Sequence, residues 1–486
     1  ILAWNDSRLL LAIDRHRNLD HIIIDIIIDT IIVCLSLSRQ MAFPAEFARI
    51  KATEDEYRRW YAQEPQHPAL SRATDDYVLD LFGSRGVLES LKYRDLTQDE
   101  AALARLYPPR DAAPVGAYAV ATTSHAAFES SWRRLTNGAL AHLDWSNVVA
   151  AGGSVLAALR DTGSSSSSSS PATPSASASS DVDLFLYGVS EQEASRKVAA
   201  IYEAVCAASS DGRSGAIPIV RTSNAVTILG RYPTPHIQIV LRIYSSPAEV
   251  LMGFDIDCCT VAYTGSRVLL LPRARHALTT RHNVLDLSRR SLTYELRLDK
   301  YGRRGFGLLL PGVDLARVNA AIYTYAPSEL HGLSKLLALE RIYTLNRRPQ
   351  PIVASALKSS LARKAIRHGS DVGNSAAEYC DRDHARPRTA ADDEPESDYS
   401  QIVIPWGPAW PPNLVVAMMN RDDRSVFFGA RRRDPSVHQH VLVSGIDGVL
   451  NGTSCWCSQC AAGERASGVP VRIATSLASR QASACV

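Results

Sequence analysis

The sequence lacks a strong net charge, and this absence excludes one broad class of protein. Its 53 Lys and Arg residues nearly balance its 50 Asp and Glu residues, which leaves a formal net charge of +3. A chain so close to neutrality does not bind polyanions through its overall charge. Any such binding must come from a local patch.

The sequence also lacks a long uncharged apolar run. Its most apolar window, residues 21–37, is 17 residues long and contains Asp25 and Asp29. A membrane-spanning helix needs about 20 apolar residues, and a carboxylate at the bilayer centre costs about 3 kcal/mol. We therefore expect no membrane partner.

The sequence also lacks an even number of cysteines that could all pair in disulfide bonds. The nine cysteines are an odd number scattered along a long chain, which favours a reducing compartment over a disulfide-bonded secreted fold. We predict an intracellular location, in the cytoplasm or the nucleus. Cys455, Cys457 and Cys460, with His438 and His440 upstream, leave a zinc site open as an alternative.

What the chain has is length and apolar content. At 486 residues and 46% hydrophobic content it can bury several cores. Residues 381–400 are charged and nearly free of apolar side chains, which predicts a linker. We expect an unassigned leader at 1–40, a helical region at 41–124, an α+β domain at 125–305, a helical extension at 306–380, and a small C-terminal unit with a poorly ordered tail at 401–486.

A glycine turn is the first motif with chemical meaning. Gly152, Gly153 and Ser154 follow the apolar run 147–151 and open a stretch compatible with a helix, residues 154–160. This order predicts a strand, a tight turn and a helix N-terminus. Unpaired backbone N–H groups at such a terminus bind phosphate, and glycine lets the ligand approach closely.

A pair of aspartates is the second motif. Asp181 and Asp183 begin the run 181–188 and alternate with apolar residues. In a strand, this alternation places both carboxylates on one face, about 7 Å apart. Hard oxygen ligands at that spacing are typical of a divalent-cation site.

A serine tract separates the two motifs. Residues 164–179 consist almost only of Ser, Ala, Pro and Thr, a composition that cannot build a packed core. We predict a disordered insertion there. Without these 16 residues, only ten would remain between Ser154 and Asp181.

In this order and spacing, the motifs resemble the nucleotidyltransferase superfamily of DNA polymerase β, poly(A) polymerases and CCA-adding enzymes. That family has a Gly-Gly/Ser turn, a short spacer and Asp-x-Asp in a strand, and the resemblance covers residues 125–300. It implies an α+β fold in which a mixed β-sheet has helices packed on one side, with helical flanking regions. It also implies metal-dependent transfer of a nucleoside monophosphate from a nucleoside triphosphate to RNA, a protein or a small molecule.

The resemblance further assigns roles to residues. Asp181 and Asp183 would be catalytic and hold Mg²⁺ or Mn²⁺, while Gly152, Gly153 and Ser154 would bind the nucleotide triphosphate. Two cations suit this chemistry because negative charge develops on the attacking oxygen, the phosphate and the leaving pyrophosphate together.

One position departs from the family pattern. The strand at 236–241 carries Gln238 where the family has a third carboxylate. We name Asp257 as the catalytic residue that completes the set, with Asp255 as the alternative. If neither reaches the metals, the fold would serve as a catalytically degenerate binding or scaffold module. A glycosyltransferase whose Asp-x-Asp binds Mn²⁺ is a weaker alternative, because it does not explain the glycine turn.

Positive charge is concentrated just after this region. Residues 271–305 contain nine Arg and Lys residues against three acids, a local excess of +6. Such a segment suits a triphosphate, RNA or another polyanion. A solvated helix face is the alternative interpretation.

Several flanking elements are also predicted. Ser190 and Glu193 have the form of a capping box that opens a helix, and Ser246 with Pro247 predicts another helix start. Apolar or alternating runs predict strands at 217–220, 225–229 and 236–244. Amphipathic spacing predicts helices at 125–142 and 328–343.

Overall fold

A computed structural model describes residues 43–109, 113–162, 181–209, 217–221, 225–291, 293–345, 404, 406–420 and 442–444. Within them, a large mixed sheet, a small sheet and helices form an α+β architecture, as predicted at this coarse level. No helix in these ranges is both long enough and apolar enough to span a membrane.

The helices and strands are numbered here in chain order. The helices are α1 (Ala45–Gln63), α2 (Pro68–Ser71), α3 (Ala73–Asp76), α4 (Gln98–Ala101), α5 (His125–Leu135), α6 (Gly153–Arg160), α7 (Glu191–Ala208), α8 (Pro247–Met252), α9 (Pro272–Thr280), α10 (Tyr294–Arg303), α11 (Gly332–Leu345) and α12 (Pro412–Asn420). The strands are β1 (Leu79–Asp80), β2 (Ala104–Leu106), β3 (Val148–Ala151), β4 (Val182–Tyr187), β5 (Ile219–Arg221), β6 (Ala225–Ile228), β7 (Ile237–Tyr244), β8 (Val261–Tyr263), β9 (Val268–Leu270), β10 (His282–Val284), β11 (Gly307–Leu310) and β12 (Leu442–Ser444).

The large sheet has nine strands in the order β1-β9-β8-β3-β4-β7-β6-β5-β12. At its centre, β4 is antiparallel to β3 and parallel to β7. Ala151 is therefore the partner of Asp183 on one side, and Gln238 is its partner on the other. A second sheet of three strands has the order β10-β11-β2.

Helices cover both faces of the large sheet, so the prediction of helices on one side is wrong. Val148 and Ala150 of β3 pack into the larger core cluster. Val149 and Ala151, which point the other way, pack into a second cluster with Tyr61 of α1 and residues of α8. The physical reason is that β3 contains no polar residue, and a strand that is apolar on both faces must be covered on both.

The helix starts that were predicted from neighbouring capping residues occur where the sequence placed them. Ser190 and Glu193 form the predicted capping box of α7, and the buried residues of this helix are Ala194, Val198, Ile201, Tyr202 and Val205. The hydroxyl of Ser246 accepts a hydrogen bond from the backbone N–H of Glu249 at the start of α8. Helix α5 is shorter than predicted because Asn137 and Gly138 adopt positive φ angles of 50° and 72°, which ends the helix.

Some predictions fall on residues that lie outside the described ranges. These are the leader at 1–40, the tract at 164–179, the linker at 381–400, and the cysteine cluster at 455–460. The domain boundaries drawn from those segments therefore stay predictions. Helix α11 lies within the expected helical extension, and its Leu336, Leu337 and Ala338 are buried.

A buried arginine connects α1 to the loop before β8. Arg273 of α9 is completely buried. Its Nε lies 2.9 Å from Glu54 Oε2, and its NH1 lies 3.3 Å from Asp257 Oδ1. Its NH2 donates hydrogen bonds to the carbonyl oxygens of Leu251 and Phe254. We call Glu54, Asp257 and Arg273 the Arg273 network.

We predict that Arg273→Met destabilises the protein by about 3–5 kcal/mol, because it leaves Asp257 as a buried charge without its cation and removes one of the two guanidinium partners of Glu54. Chemical denaturation measures the free energy of unfolding. Arg59→Met is the control, since Arg59 pairs with Glu64 at half-exposed positions in α1, and it should cost about 1 kcal/mol or less. Equal losses in the two variants would contradict a special role for the Arg273 network.

Candidate functional site

The glycine turn occurs where it was predicted, between β3 and α6. Gly152 has φ +91° and ψ −141°, and its N–H donates to the carbonyl of Val261 at 2.9 Å. A Cβ atom built at Gly152 would lie 2.9 Å from Phe254 Cε1. Both the backbone conformation and the packing of Phe254 therefore require glycine at this position.

Ser154 differs from its predicted role in one respect. It lies in the first turn of α6 and is only 1% exposed, and its Oγ has no hydrogen-bond partner among the described residues. A hydroxyl so deeply buried is not open to a triphosphate. Gly153, the first residue of α6, is half-buried and therefore more accessible than Ser154.

The two aspartates lie at the start of β4. Asp181 immediately precedes the strand and is exposed, and Asp183 within it is half-buried. Val182 and Leu184 between and after them are completely buried. Burial thus alternates along the strand as the sequence pattern predicts, with the carboxylates on the opposite face from the two apolar side chains.

The pKa of Asp183 is strongly perturbed. Desolvation, the largest effect, and the nearby charge of Asp181 raise it to about 7 against the opposing effects of Lys300 and Arg297. Desolvation also raises the pKa of Asp181, while His236 and Lys300 lower it. The side chain of Asp181 nevertheless remains exposed to water, which screens these charges.

Gln238 occupies the neighbouring position in the sheet. It is the β7 partner of Asp183, and its Nε2 donates to Thr227 Oγ1 of β6 at 3.3 Å. Its amide oxygen can act as a neutral ligand for a hard cation. It cannot accept the proton of an attacking hydroxyl as a carboxylate can.

Asp257 is placed in the core by its hydrogen bonds. Its Oδ1 pairs with Arg273, its Oδ2 accepts the backbone N–H of Val284 at 2.7 Å, and the residue is 2% exposed. Both oxygens therefore have structural partners. This geometry does not favour the prediction that Asp257 is catalytic.

Asp255 fits the candidate site better. Its Oδ2 accepts hydrogen bonds from Ser291 Oγ at 2.8 Å and from Arg297 NH2 at 2.6 Å. Its buried Oδ1 has no hydrogen-bond partner in the described part of the chain. Arg297 is also one of the charges that act on Asp183, which brings Asp255 into the same electrostatic neighbourhood.

Helix α10 supplies two cations of the predicted basic segment 271–305. Arg297 and Lys300 are three residues apart, so they project from one side of the helix. Desolvation and the charge of Arg304 lower the pKa of Lys300, whereas Asp181 and Asp183 raise it, although Lys300 still reaches solvent. The three-residue spacing of Arg297 and Lys300 is the sequence signal that places them on one side of a helix.

Internal ion pairs neutralise much of the basic segment 271–305. Arg273 and Arg289 are buried against Glu54. Arg290 pairs with Glu295 and Arg303 with Asp299. The local charge excess of the sequence is therefore not a continuous basic surface.

A metal would need ligands beyond the protein. Across the described ranges, no group of three or more His, Cys, Asp and Glu side chains is arranged to hold a metal ion. Two carboxylates with phosphate and water oxygens are a ligand set that Mg²⁺ accepts, because it usually retains several waters. The donor chemistry of Asp181 and Asp183 fits such a cation.

Comparison with known proteins gives two similarities. The family model of the Gabija anti-defense 2 (Gad2) family matches residues 124–281, which is about a third of the chain. The uncharacterized protein R883 of Acanthamoeba polyphaga mimivirus is 30% identical over 202 residues, which are 39% of this chain and 42% of that protein. No solved structure matches.

We predict that Gly152→Ala destabilises the protein by about 1–3 kcal/mol through backbone strain, with a further loss from the contact with Phe254. Gly116→Ala is the matched control, since Gly116 also has a positive φ of 86° but has nothing within 4 Å of an added Cβ. Thermal unfolding of both variants measures the difference. A loss at Gly152 no greater than that at Gly116 would show that Phe254 does not constrain the turn.

We also predict a pH-dependent effect of Asp183→Asn. The folded-state pKa of about 7 lies above the ordinary value of 3.8, so ionised Asp183 destabilises the fold increasingly as pH rises between these values. The measurement is the Tm of Asp183→Asn minus the Tm of the unaltered protein, in the absence of divalent cations. This difference should increase by about 2–4 °C between pH 5 and pH 8.

Asp144→Asn is the control, because the pKa of Asp144 is shifted in the opposite direction from that of Asp183. Its hydrogen bond from Lys197 lowers the pKa of Asp144, so removal of this carboxylate gives no advantage at high pH. A Tm difference for Asp183→Asn that is constant across this pH range would overturn the assignment of a raised pKa.

Proposed function

We propose that this protein is a metal-dependent nucleotidyltransferase that moves a nucleoside monophosphate from a nucleoside triphosphate to an acceptor hydroxyl. One observation carries the proposal: Ala151 and Asp183 are partners on adjacent strands. The glycine turn follows Ala151 directly, and Asp181 lies two residues before Asp183. Because adjacent strands are about 4.8 Å apart, the turn and the aspartates share one edge of the sheet and can contact one ligand.

The arrangement of elements supports the same proposal. Helix α5, strand β3, helix α6 and strand β4 follow one another, and the central strands pair in a mixed sheet. This order agrees with the nucleotidyltransferase-like domain that the motifs imply at 125–305. The similarity to the Gad2 family falls on the same part of the chain, at 124–281.

Each group has a chemical task in the transfer. Asp181 and Asp183 would hold Mg²⁺ or Mn²⁺, which supplies electrostatic stabilisation of the charge on the phosphates. The N–H groups at the start of α6, with Gly153, would position the triphosphate. Arg297 and Lys300 lie where positive charge would stabilise the leaving pyrophosphate.

The acceptor hydroxyl attacks the α-phosphorus, the new P–O bond forms as the bond to pyrophosphate breaks, and the hydroxyl proton must leave. We propose that this proton passes to water and that Asp255 positions Arg297, because the Oδ1 of Asp255 is as deeply buried as Ser154 Oγ and is not open to the acceptor. Its Oδ2 is already held by Arg297 and Ser291, which fixes the side chain.

A second candidate function is a binding or scaffold module without turnover. Gln238 beside Asp183 favours it, since a third carboxylate is missing at the position where the family resemblance places one. The description of the matched family names an anti-defense role, and a protein can perform such a role by binding alone.

The proposed location is intracellular, as the sequence predicts. Cys206, Cys258 and Cys259 are free thiols in the described part of the chain. The Sγ atoms of Cys258 and Cys259 lie 4.0 Å apart without a bond between them. Free buried thiols fit a reducing compartment.

We predict that Asp183→Asn lowers the rate of transfer at least about 100-fold, because it removes a carboxylate that stabilises charge through the cation. The assay incubates the protein with each labelled nucleoside triphosphate, Mg²⁺ or Mn²⁺, and total cellular RNA, and measures pyrophosphate release and the fraction that carries label. The exposed Asp144→Asn is the control and should retain activity.

Two results would count against the enzyme. Full activity of Asp183→Asn would remove this residue from the reaction. Nucleotide binding by the unaltered protein, measured by calorimetry, without pyrophosphate release under any of these conditions would favour the scaffold module.

A further inference from the structure

We infer that Tyr232 and Trp406 form a platform on which an unpaired base of a nucleic-acid acceptor strand stacks. We call these two side chains the aromatic platform. The inference deepens the proposed function, on which it rests, because it names the acceptor class as a nucleic-acid strand. Tyr232 is 43% exposed and Trp406 is half-buried, so both residues are partly open to solvent.

The two rings of the platform come from distant parts of the chain. Their centroids lie 5.1 Å apart, and their planes are inclined by 50°. The indole Nε1 of Trp406 donates a hydrogen bond to the carbonyl oxygen of Thr234 at 2.8 Å. This bond attaches the indole to the loop that carries Tyr232. The sequence pattern could not define the platform, because no spacing rule connects residues so far apart.

The loop between β6 and β7, residues 229–236, is held in place by contacts of its own. The side chain of Asn137, which follows α5, donates a hydrogen bond to Thr234 Oγ1 at 2.9 Å. Gly230 lets the loop fold back closely, since a Cβ atom built there would clash with the carbonyl oxygen of Pro235. A platform that is ordered before its ligand arrives loses less entropy on binding.

This loop lies at the same end of the large sheet as the candidate site. Val182 of β4 and Ile237 of β7 are partners in parallel strands, and the N–H of Val182 donates to the carbonyl of His236 at 2.9 Å. Asp181 and His236 therefore directly precede this pair at the same end of the sheet. Thr234 is two residues before His236, which places it at most about 7 Å away along the chain. The platform is thus within reach of a short strand that ends at the aspartates.

The order of the strands places the platform on the side from which an acceptor would approach. The glycine turn follows β3, the aspartates begin β4, and the platform loop joins β6 to β7, which neighbours β4 on the side away from β3. The attacking and leaving oxygens are roughly in line in phosphoryl transfer. Because the proposed function puts the pyrophosphate at the glycine turn, the acceptor hydroxyl approaches from the side of β7. The base next to that hydroxyl then lies toward the platform.

The size and chemistry of the platform favour a base over a protein surface. Two aromatic side chains supply about 300–500 Å² even when fully exposed, whereas a stable protein interface buries about 800 Å² on each partner. A nucleobase is a single flat ring system, and every base has a π face that can stack on an aromatic side chain. We therefore expect binding that requires a base but tolerates different bases.

The test measures the Kd of a fluorescein-labelled oligoadenylate by fluorescence anisotropy in EDTA. A second probe has the same length but carries abasic sites at its 3′ end. We expect Tyr232→Ala to raise the Kd of the oligoadenylate about tenfold, because stacking on the ring is lost. The abasic probe should bind the variant and the unaltered protein with the same, higher Kd. Tyr232→Phe should retain the binding, because it keeps the ring.

Tyr325→Ala is the matched control, since Tyr325 is another exposed tyrosine, at 47%, and lies outside the platform. It should leave the oligoadenylate Kd unchanged. Tyr232→Leu keeps an apolar side chain without a π face and should bind as weakly as Tyr232→Ala. Trp406→Leu removes the other ring and keeps the test informative if Tyr232→Ala impairs folding, which thermal unfolding reports.

Three results would overturn the inference. The first is full binding of the oligoadenylate by Tyr232→Leu, which would show that stacking is not required. The second is the same Kd of the unaltered protein for the oligoadenylate and the abasic probe. The third is absence of oligonucleotide binding by the unaltered protein.

A second arm separates the base of the acceptor from the base of the nucleoside triphosphate. Calorimetry with each nucleoside triphosphate and Mn²⁺ should give the same Kd for Tyr232→Ala and the unaltered protein. A loss of triphosphate affinity in Tyr232→Ala would overturn the assignment of the platform to the acceptor, whatever happens to the oligoadenylate.

The outcome is also distinguishable from failure of the proposed function. Asp183→Asn should bind the oligoadenylate in EDTA as the unaltered protein does, whether or not transfer occurs. Base-dependent binding that is lost in Tyr232→Ala, without any transfer, would support the platform and reject the enzyme. Transfer that proceeds while Tyr232→Ala binds the oligoadenylate normally would reject the platform and keep the enzyme.

Discussion

The candidate site depends on a single buried guanidinium. Arg273 contacts Glu54, Asp257, the carbonyl oxygen of Leu251 in α8 and the carbonyl oxygen of Phe254 in the loop before β8. A charge this deep in the protein is stable only with its partners in place. The loop that it holds carries Phe254, which covers the glycine turn, and Asp255, which binds Arg297. Phe254 at the glycine turn and Asp255 beside Arg297 therefore both depend on the Arg273 network for their positions.

The candidate site brings carboxylates and cationic side chains close enough to act on each other's pKa values. Burial, and after it the charge of Asp181, raises the pKa of Asp183 at the start of β4. Helix α10 presents Arg297 and Lys300 to the same region. In the proposed function, a divalent cation would neutralise the first pair and a polyphosphate the second.

Predictions from the sequence succeeded where the relevant interactions are local. The capping box at Ser190, the proline-started helix α8 and the alternation in β4 each depend on residues a few positions apart. The prediction of helices on one side of the sheet was wrong because the burial of β3 on both faces depends on α1 and α8, which are distant in the chain. The role of Asp257 likewise depended on Arg273, which no spacing rule connects to it.

The amino-acid sequence by itself determined the glycine turn, the aspartate strand and their order along the chain, because backbone conformation and side-chain alternation follow from neighbouring residues. Only the tertiary structure decided that the turn and the aspartates lie at the same end of adjacent strands, that Gln238 stands beside Asp183, and which carboxylates pair with Arg273. Ion pairs form between the charges that folding brings within a few ångströms of each other. The number of charges along the chain does not determine which of them pair.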